Sequence, residues 1–156
     1  EFILSITDFG STKAIILFSV IFAGFLISRH TYRQARIFTL GLVTNTFIVY
    51  LLKLIVNRPR RLVALVFETT TSFPSGHTAA TVFFFGFLIY FATKHITSHF
   101  WRGVMRVIGI TFIILIPTSR LYLGEHYLTD VLASIIIAST VLYVTVKRWE
   151  KASIRA

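Results

Sequence analysis

The chain contains no cysteine. This excludes a disulfide framework, a thiolate metal site and a cysteine nucleophile, and leaves the redox compartment open. Charge is also scarce. Only 14% of the 156 residues are Asp, Glu, Lys or Arg, against roughly 25% in an ordinary soluble domain. Carboxylates are scarcer still: 6 Asp and Glu face 16 Lys and Arg, a formal net charge of +10. Hydrocarbon takes the place of charge. Hydrophobic residues make up 55% of the chain, and the mean hydropathy is +0.77. Disorder requires low hydrophobicity and is excluded. A cationic nucleic-acid binder is not this apolar, so no nucleic-acid partner is expected. The class that remains is an integral membrane protein with clustered positive charge.

Five apolar runs are candidates to cross a bilayer, which takes about 20 helical residues each. They cover about residues 12–28, 37–56, 77–93, 103–118 and 129–146. Several are short, so their helices are expected to extend into polar flanks or to sit where the bilayer thins. Five such runs in a soluble protein would leave too little polar surface for water. There is no internal repeat, low-complexity tract or linker. The expected fold is therefore all-α: a polytopic transmembrane helix bundle with five spans, forming one membrane-embedded domain over residues 1–156. The opening segment EFILSITDFG has neither the basic start nor the cleavage pattern of a signal peptide. Five spans place the two termini on opposite sides, and the expectation is that a first, N-terminal helix is missing, six spans in all.

The connections alternate between two sides. One side collects Arg29, Arg33, Arg36, Lys94, Arg102, Arg106, Lys147, Arg148, Lys151 and Arg155, with Glu150 as its one acid. Cytoplasmic loops are enriched in Lys and Arg, so this side is expected to be cytoplasmic. These charges read as topological anchors and headgroup contacts. Trp101 and Trp149 lie near the same boundary, as interfacial aromatics do. The other side is then extracytoplasmic.

The extracytoplasmic charges are clustered. Lys53 ends the second run, and Arg58, Arg60 and Arg61 follow. Arg120 and Asp130 bracket the entrance of the fifth run. A single Lys or Arg at a span end can simply snorkel. A lone histidine is more often structural than catalytic. Two of them, His77 and His126, beside three to five cations on one membrane face reverse that expectation.

Such a face attracts a multiply charged anion, and arginine suits phosphate because its fork donates two parallel hydrogen bonds. Pro74-Ser75-Gly76-His77 directly precedes a helical run. Ser75 is a plausible N-cap, and Gly76 lets a ligand approach the backbone closely. The free N–H groups of that helix start form an anion site. His126 and Asp130 stand four residues apart, on one helical face. An aspartate there can hold the imidazole in one tautomer, as in nucleophile–base systems. These residues suit in-line attack of neutral His126 on phosphorus. Lys53, Arg60 and Arg120 would neutralise the equatorial oxygens, and His77 would protonate the leaving group. No cofactor is expected. No metal is expected either, because the cations take its electrostatic role and carboxylates are too few for a two-metal site.

These residues coincide with three motifs, and the chain resembles the type 2 phosphatidic acid phosphatase superfamily. The first motif, Lys-x6-Arg-Pro, reads Lys53-Leu-Ile-Val-Asn-Arg-Pro-Arg60-Arg61, with Arg61 where the family has proline. The second, Pro74-Ser75-Gly76-His77, is intact. The third is also intact, from Ser119-Arg120 through His126 to Asp130. By resemblance, Lys53, Arg60 and Arg120 bind phosphate, and Ser75 and Gly76 add hydrogen bonds to it. His77 is then the general acid, His126 the nucleophile that forms a phosphohistidine, and Asp130 its partner. Arg58, in an Arg-Pro pair at shorter spacing from Lys53, is a lesser candidate. Arg61 is read as an added headgroup contact.

The expected function is that of a metal-independent membrane lipid phosphatase at the extracytoplasmic face. Its substrate would be a lipid phosphate monoester or pyrophosphate: phosphatidylglycerophosphate, phosphatidic acid or polyprenyl pyrophosphate. A lipid phosphotransferase would share the first half-reaction. A non-catalytic lipid-binding or transport protein is the alternative from another class. Oligomeric state is not legible in the residues.

Overall fold

A computed structural model of the chain describes residues 12–60 and 71–154. Within them lie five helices and no strand: α1 (Thr12–Ser28), α2 (Tyr32–Val56), α3 (Gly76–His95), α4 (His99–Tyr122) and α5 (Leu128–Ile154). Each expected apolar run became one helix. The longer ones run on into polar flanks, as α2 does back through Arg36 and Arg33 to Tyr32, and α5 forward through Trp149 to Ile154. Helices α2 to α5 are long and apolar enough to cross a membrane. Helix α1 has 17 residues, about 25 Å at 1.5 Å per residue, and is shorter than a full span.

The outer surface of the bundle is apolar, unlike that of a water-soluble protein. Leu40, Val43, Phe47 and Leu54 of α2, Ile110 and Ile114 of α4, and Ile136 of α5 point outward and are exposed. Ser19, Asn45, Thr78, Thr81, Ser134 and Thr145 are buried inside. In hydrocarbon, large apolar side chains face outward without penalty, and helices associate through small residues and interhelical hydrogen bonds. Gly41 of α2 lies against Thr145 of α5 and Phe83 of α3, Gly86 lies against Leu142, and Gly109 lies against Ile89. The Asn45 side-chain amide donates to the Ala79 carbonyl at 3.2 Å, tying α2 to α3.

Helix α3 touches all four other helices. Its phenylalanine run is the centre of the core, with Phe83 and Phe87 fully buried. Phe87 meets Phe22 of α1, Phe38 of α2 and Trp149 of α5. Phe85 stacks on Phe112 of α4, with ring centroids 4.7 Å apart. Edge-to-face and offset contacts of this kind fit the aromatic quadrupole. Trp149 corrects one expectation. It is 2% exposed and packs on Phe87, Phe91 and His95, so it belongs to the core and not to an interfacial belt. Trp101 is exposed at the start of α4.

Because successive helices run in opposite directions, four helix ends meet at one end of the bundle. These are the C-termini of α2 and α4 and the N-termini of α3 and α5. They carry Lys53, Arg120, Ser75-Gly76-His77 and Asp130. Arg29, Lys94, Arg102 and Lys147 lie toward the opposite end.

Candidate active site

Each element delivers its side chain for a local reason. Helix α2 stops at Asn57, which adopts a left-handed conformation (φ 43°) with its N–H on the Lys53 carbonyl, a common helix end for Asn. Lys53 is thereby left in the last turn, where its Nζ donates to the Thr71 carbonyl at 2.6 Å. Helix α3 starts at an N-cap: Ser75 Oγ accepts from the Thr78 N–H at 3.4 Å. The Gly76 and His77 N–H groups make no hydrogen bond among the described residues, as expected for the first turn. Among the described residues beyond its own turn, the nearest atom to a Cβ on Gly76 is Val49 Cγ1, at 4.0 Å. Packing among these residues therefore does not require glycine there.

Between α4 and α5 the chain turns within five residues, with Gly124 at φ 71°, a conformation glycine adopts without strain. This tight turn places Glu125 and His126 back over Arg120. Asp130 caps α5: its Oδ2 accepts from the Tyr127 N–H at 2.9 Å. The Asp130 carbonyl accepts from the Ser75 N–H at 3.4 Å, joining the starts of α3 and α5.

The two arginines of the first motif take different directions. Arg58 lies over the Tyr127 ring, 3.9 Å from its centroid. It donates to Thr129 Oγ1 at 2.7 Å and to Asp130 Oδ1 at 2.9 Å. Arg60 turns toward Glu125, with one guanidinium nitrogen 3.3 Å from its carbonyl and 3.5 Å from Oε2. Arg120 donates to both Glu125 carboxylate oxygens from one nitrogen, at 2.9 and 2.7 Å. Its Nε is buried with no hydrogen-bond partner among the described residues. Arg61 lies outside the described residues.

His126 is 2% exposed. Its Nδ1 lies 3.6 Å from Asp130 Oδ2, beyond a hydrogen bond, because that carboxylate is engaged by Arg58 and the Tyr127 N–H. Burial pushes the His126 pKa down from 6.5 to about 4. Arg60 and Lys53 act in the same direction, while Asp130 and the nearby Ser72 main chain pull it up. The imidazole is therefore neutral near pH 7 and has a lone pair to offer. His77 stands within electrostatic reach of His126, Arg120, Arg60 and Lys53. The structure thus brings all eight candidate residues, Lys53, Arg60, Ser75, Gly76, His77, Arg120, His126 and Asp130, to one end of the bundle. Among the described residues, no group of three His, Cys, Asp or Glu side chains could hold a metal ion.

Two participants were not legible as such. Glu125 is 1% exposed and joins Arg60 to Arg120. Arg58, read as a lesser candidate for phosphate, donates to Asp130. The available signal for Glu125 was its scarcity: it is one of only 6 acids, next to a candidate nucleophile.

The family model of the PAP2 superfamily matches residues 34–154. Phosphatidylglycerophosphatase B of Bacillus subtilis is 31% identical over 137 residues, covering 85% of this chain and 66% of that protein. The chain thus spans slightly less than two thirds of that relative's length. Among solved structures, a transmembrane PAP2-type phosphatidylglycerolphosphate phosphatase from Bacillus subtilis superposes with a TM-score of 0.85 at 28% identity. The match covers 96% of this chain and 75% of that one. LpxE of Aquifex aeolicus shares the fold, with a TM-score of 0.65 at 23% identity over 94% of this chain and 84% of that one.

Proposed function

This chain is a multi-pass membrane protein that belongs to the PAP2 superfamily, and on that premise we propose that it is a lipid phosphatase working through a phosphohistidine. The reading rests on one observation above all: a neutral, buried His126 shares one end of the bundle with His77 and the cations Lys53, Arg60 and Arg120. In the reaction, Lys53, Arg60, the orphan Nε of Arg120 and the free N–H groups at the start of α3 hold the phosphate oxygens. Nδ1 of His126 faces Asp130, so Nε2 is the attacking nitrogen. It forms a bond to phosphorus as the ester oxygen leaves, and His77 donates a proton to that oxygen. Water then attacks phosphorus with His77 as base, the P–N bond breaks, and phosphate departs. The cations act where charge spreads over the equatorial oxygens.

The substrate is a lipid phosphate monoester of the kind named by the Bacillus relatives, phosphatidylglycerophosphate or a close analogue. Its tails stay in hydrocarbon while the headgroup reaches the helix ends. The strongly basic opposite end of the bundle supports an extracytoplasmic active site.

Phosphate release from phosphatidylglycerophosphate in detergent, wild type against His126→Ala, tests this. The variant is expected to lose about 10³-fold or more of kcat, as when a nucleophile is removed. Activity is expected to survive a chelator. Equal turnover by the two proteins would end the mechanism.

A further inference from the structure

We propose that the end of the bundle opposite the candidate active site holds a second binding site, for the phosphate headgroup of an anionic phospholipid. None of its residues belongs to the catalytic set, so it stands apart from the phosphatase reading. A cavity of about 560 Å³ opens there, walled by the end of α1, the start of α2, the last turns of α3 and one residue of α5. This is the size of a small-ligand site. It lies where α1 and α5 fail to meet: among the described residues α1 packs on α2 and α3 and makes no contact with α5.

The wall has two chemistries. One part is apolar. Leu26 and Trp149 are buried in it, and Phe25, about half exposed on the outside of the bundle, meets Phe91 edge to face at 6.3 Å. The other part is polar and comprises Arg29, Thr31, Gln34 and His95. The Thr31 hydroxyl is already committed, donating to the Leu26 carbonyl at 2.7 Å. The Arg29 and Gln34 side chains make no hydrogen bond or ion pair among the described residues. The His95 ring stacks on Phe91, with centroids 4.5 Å apart. That contact fixes its plane, and either tautomer keeps one N–H to donate. No acid lines the cavity among the described residues.

A free anion would use only the polar part. An occupant that satisfies both parts is charged at one end, apolar at the other, and able to reach hydrocarbon past Phe25. A phospholipid has this form. Its phosphate lies on Arg29, Gln34 and His95, and its glycerol and first methylenes lie against Phe25, Phe91 and Trp149. Arginine's fork suits phosphate, and basic pockets between transmembrane helices recognise lipid headgroups in this way. Bound there, the lipid bridges α1 to α5 and stabilises the folded bundle by mass action.

The test follows lipid binding and unfolding temperature of the protein in detergent. The probes are phosphatidylglycerol, phosphatidylcholine with the same chains, and inorganic phosphate. In wild type, phosphatidylglycerol is expected to raise the unfolding temperature by about 3 °C or more beyond phosphatidylcholine, and inorganic phosphate is expected not to do so. Arg29→Ala is expected to bind phosphatidylglycerol about fivefold less tightly, the weight of one basic side chain at a membrane surface, and to lose most of the shift. His95→Phe keeps a ring to stack on Phe91 but removes the N–H, and is expected to lose part of it. Lys94→Ala removes a neighbouring exposed charge outside the cavity and is expected to keep the full shift. Arg120→Ala is also expected to keep it, which separates this site from lipid held at the candidate active site. Equal shifts with the two lipids, an equal shift with inorganic phosphate, or a full shift in Arg29→Ala would overturn the proposal. So would a loss in Lys94→Ala or Arg120→Ala as large as that in Arg29→Ala.

Discussion

Arg58 and Asp130 are 72 residues apart in the chain and 2.9 Å apart in the fold. Asp130 is fully buried, and Arg58 is about one third exposed. Arg58 holds one carboxylate oxygen, the Tyr127 N–H holds the other, and His126 Nδ1 waits at 3.6 Å. The aspartate is therefore oriented by two donors before it orients the imidazole.

Arg58→Ala removes one of those donors and leaves Asp130 short of a partner. The side chain is partly solvated, so the loss is smaller than for a fully buried pair, about 1–2 kcal/mol. kcat/KM is expected to fall about tenfold as the histidine's support loosens. Arg58→Lys is expected to recover part of both, since charge survives but stacking on Tyr127 does not. Rates and unfolding temperatures of the two variants in detergent check this. A fully active Arg58→Ala protein would show that Asp130 needs no such support.

Acid is expected to destabilise the fold through His126. Its pKa is about 4 in the fold against 6.5 for an ordinary histidine. Between those values the unfolded chain takes up a proton that the native protein does not, so this contribution is complete above pH 6.5 and is lost as pH falls toward 4. Thermal unfolding between pH 7.5 and 4.5 should show a steeper decline for wild type than for His126→Gln. Parallel curves would mean that His126 titrates alike in both states.

Two glycines are expected to respond differently to alanine. At Gly41 a Cβ would overlap Thr145 and Phe83. Thr145 is held by its own hydroxyl bond to the Val141 carbonyl at 2.8 Å, so α2 and α5 must separate, at about 1–3 kcal/mol. Among the described residues beyond its own turn, Gly76→Ala meets nothing nearer than Val49 Cγ1 at 4.0 Å, and it should leave stability nearly unchanged. Its methyl group would instead stand where phosphate approaches the α3 N–H groups, raising KM about tenfold by displacing the ligand. Unfolding temperature and KM, measured for both variants, separate the two effects. A stable Gly76→Ala enzyme with unchanged KM would mean that phosphate does not approach there.

Much of the fold was legible because a bilayer imposes a simple rule. Apolar runs near 20 residues have few alternatives to spanning helices, and each of the five runs became one helix. Their ends were less legible. Tyr32–Arg36 and Trp149–Ile154 continue α2 and α5 because helical hydrogen bonding does not stop where hydrophobicity does. Trp149 was misread because position along a helix does not reveal which neighbour covers a side chain. Arg61 lies outside the described residues.

Composition and order along the chain alone determined the membrane class, the five apolar helices of the described residues and the set of cations and histidines, since each follows from local residue type and spacing. Only packing decided how those side chains pair. Whether Arg58 or Arg60 would face Asp130, and that Glu125 would join two arginines, depends on how α2, α4 and α5 are placed against α3. Such directions are set by steric fit between helices distant in the chain, and no local pattern encodes them.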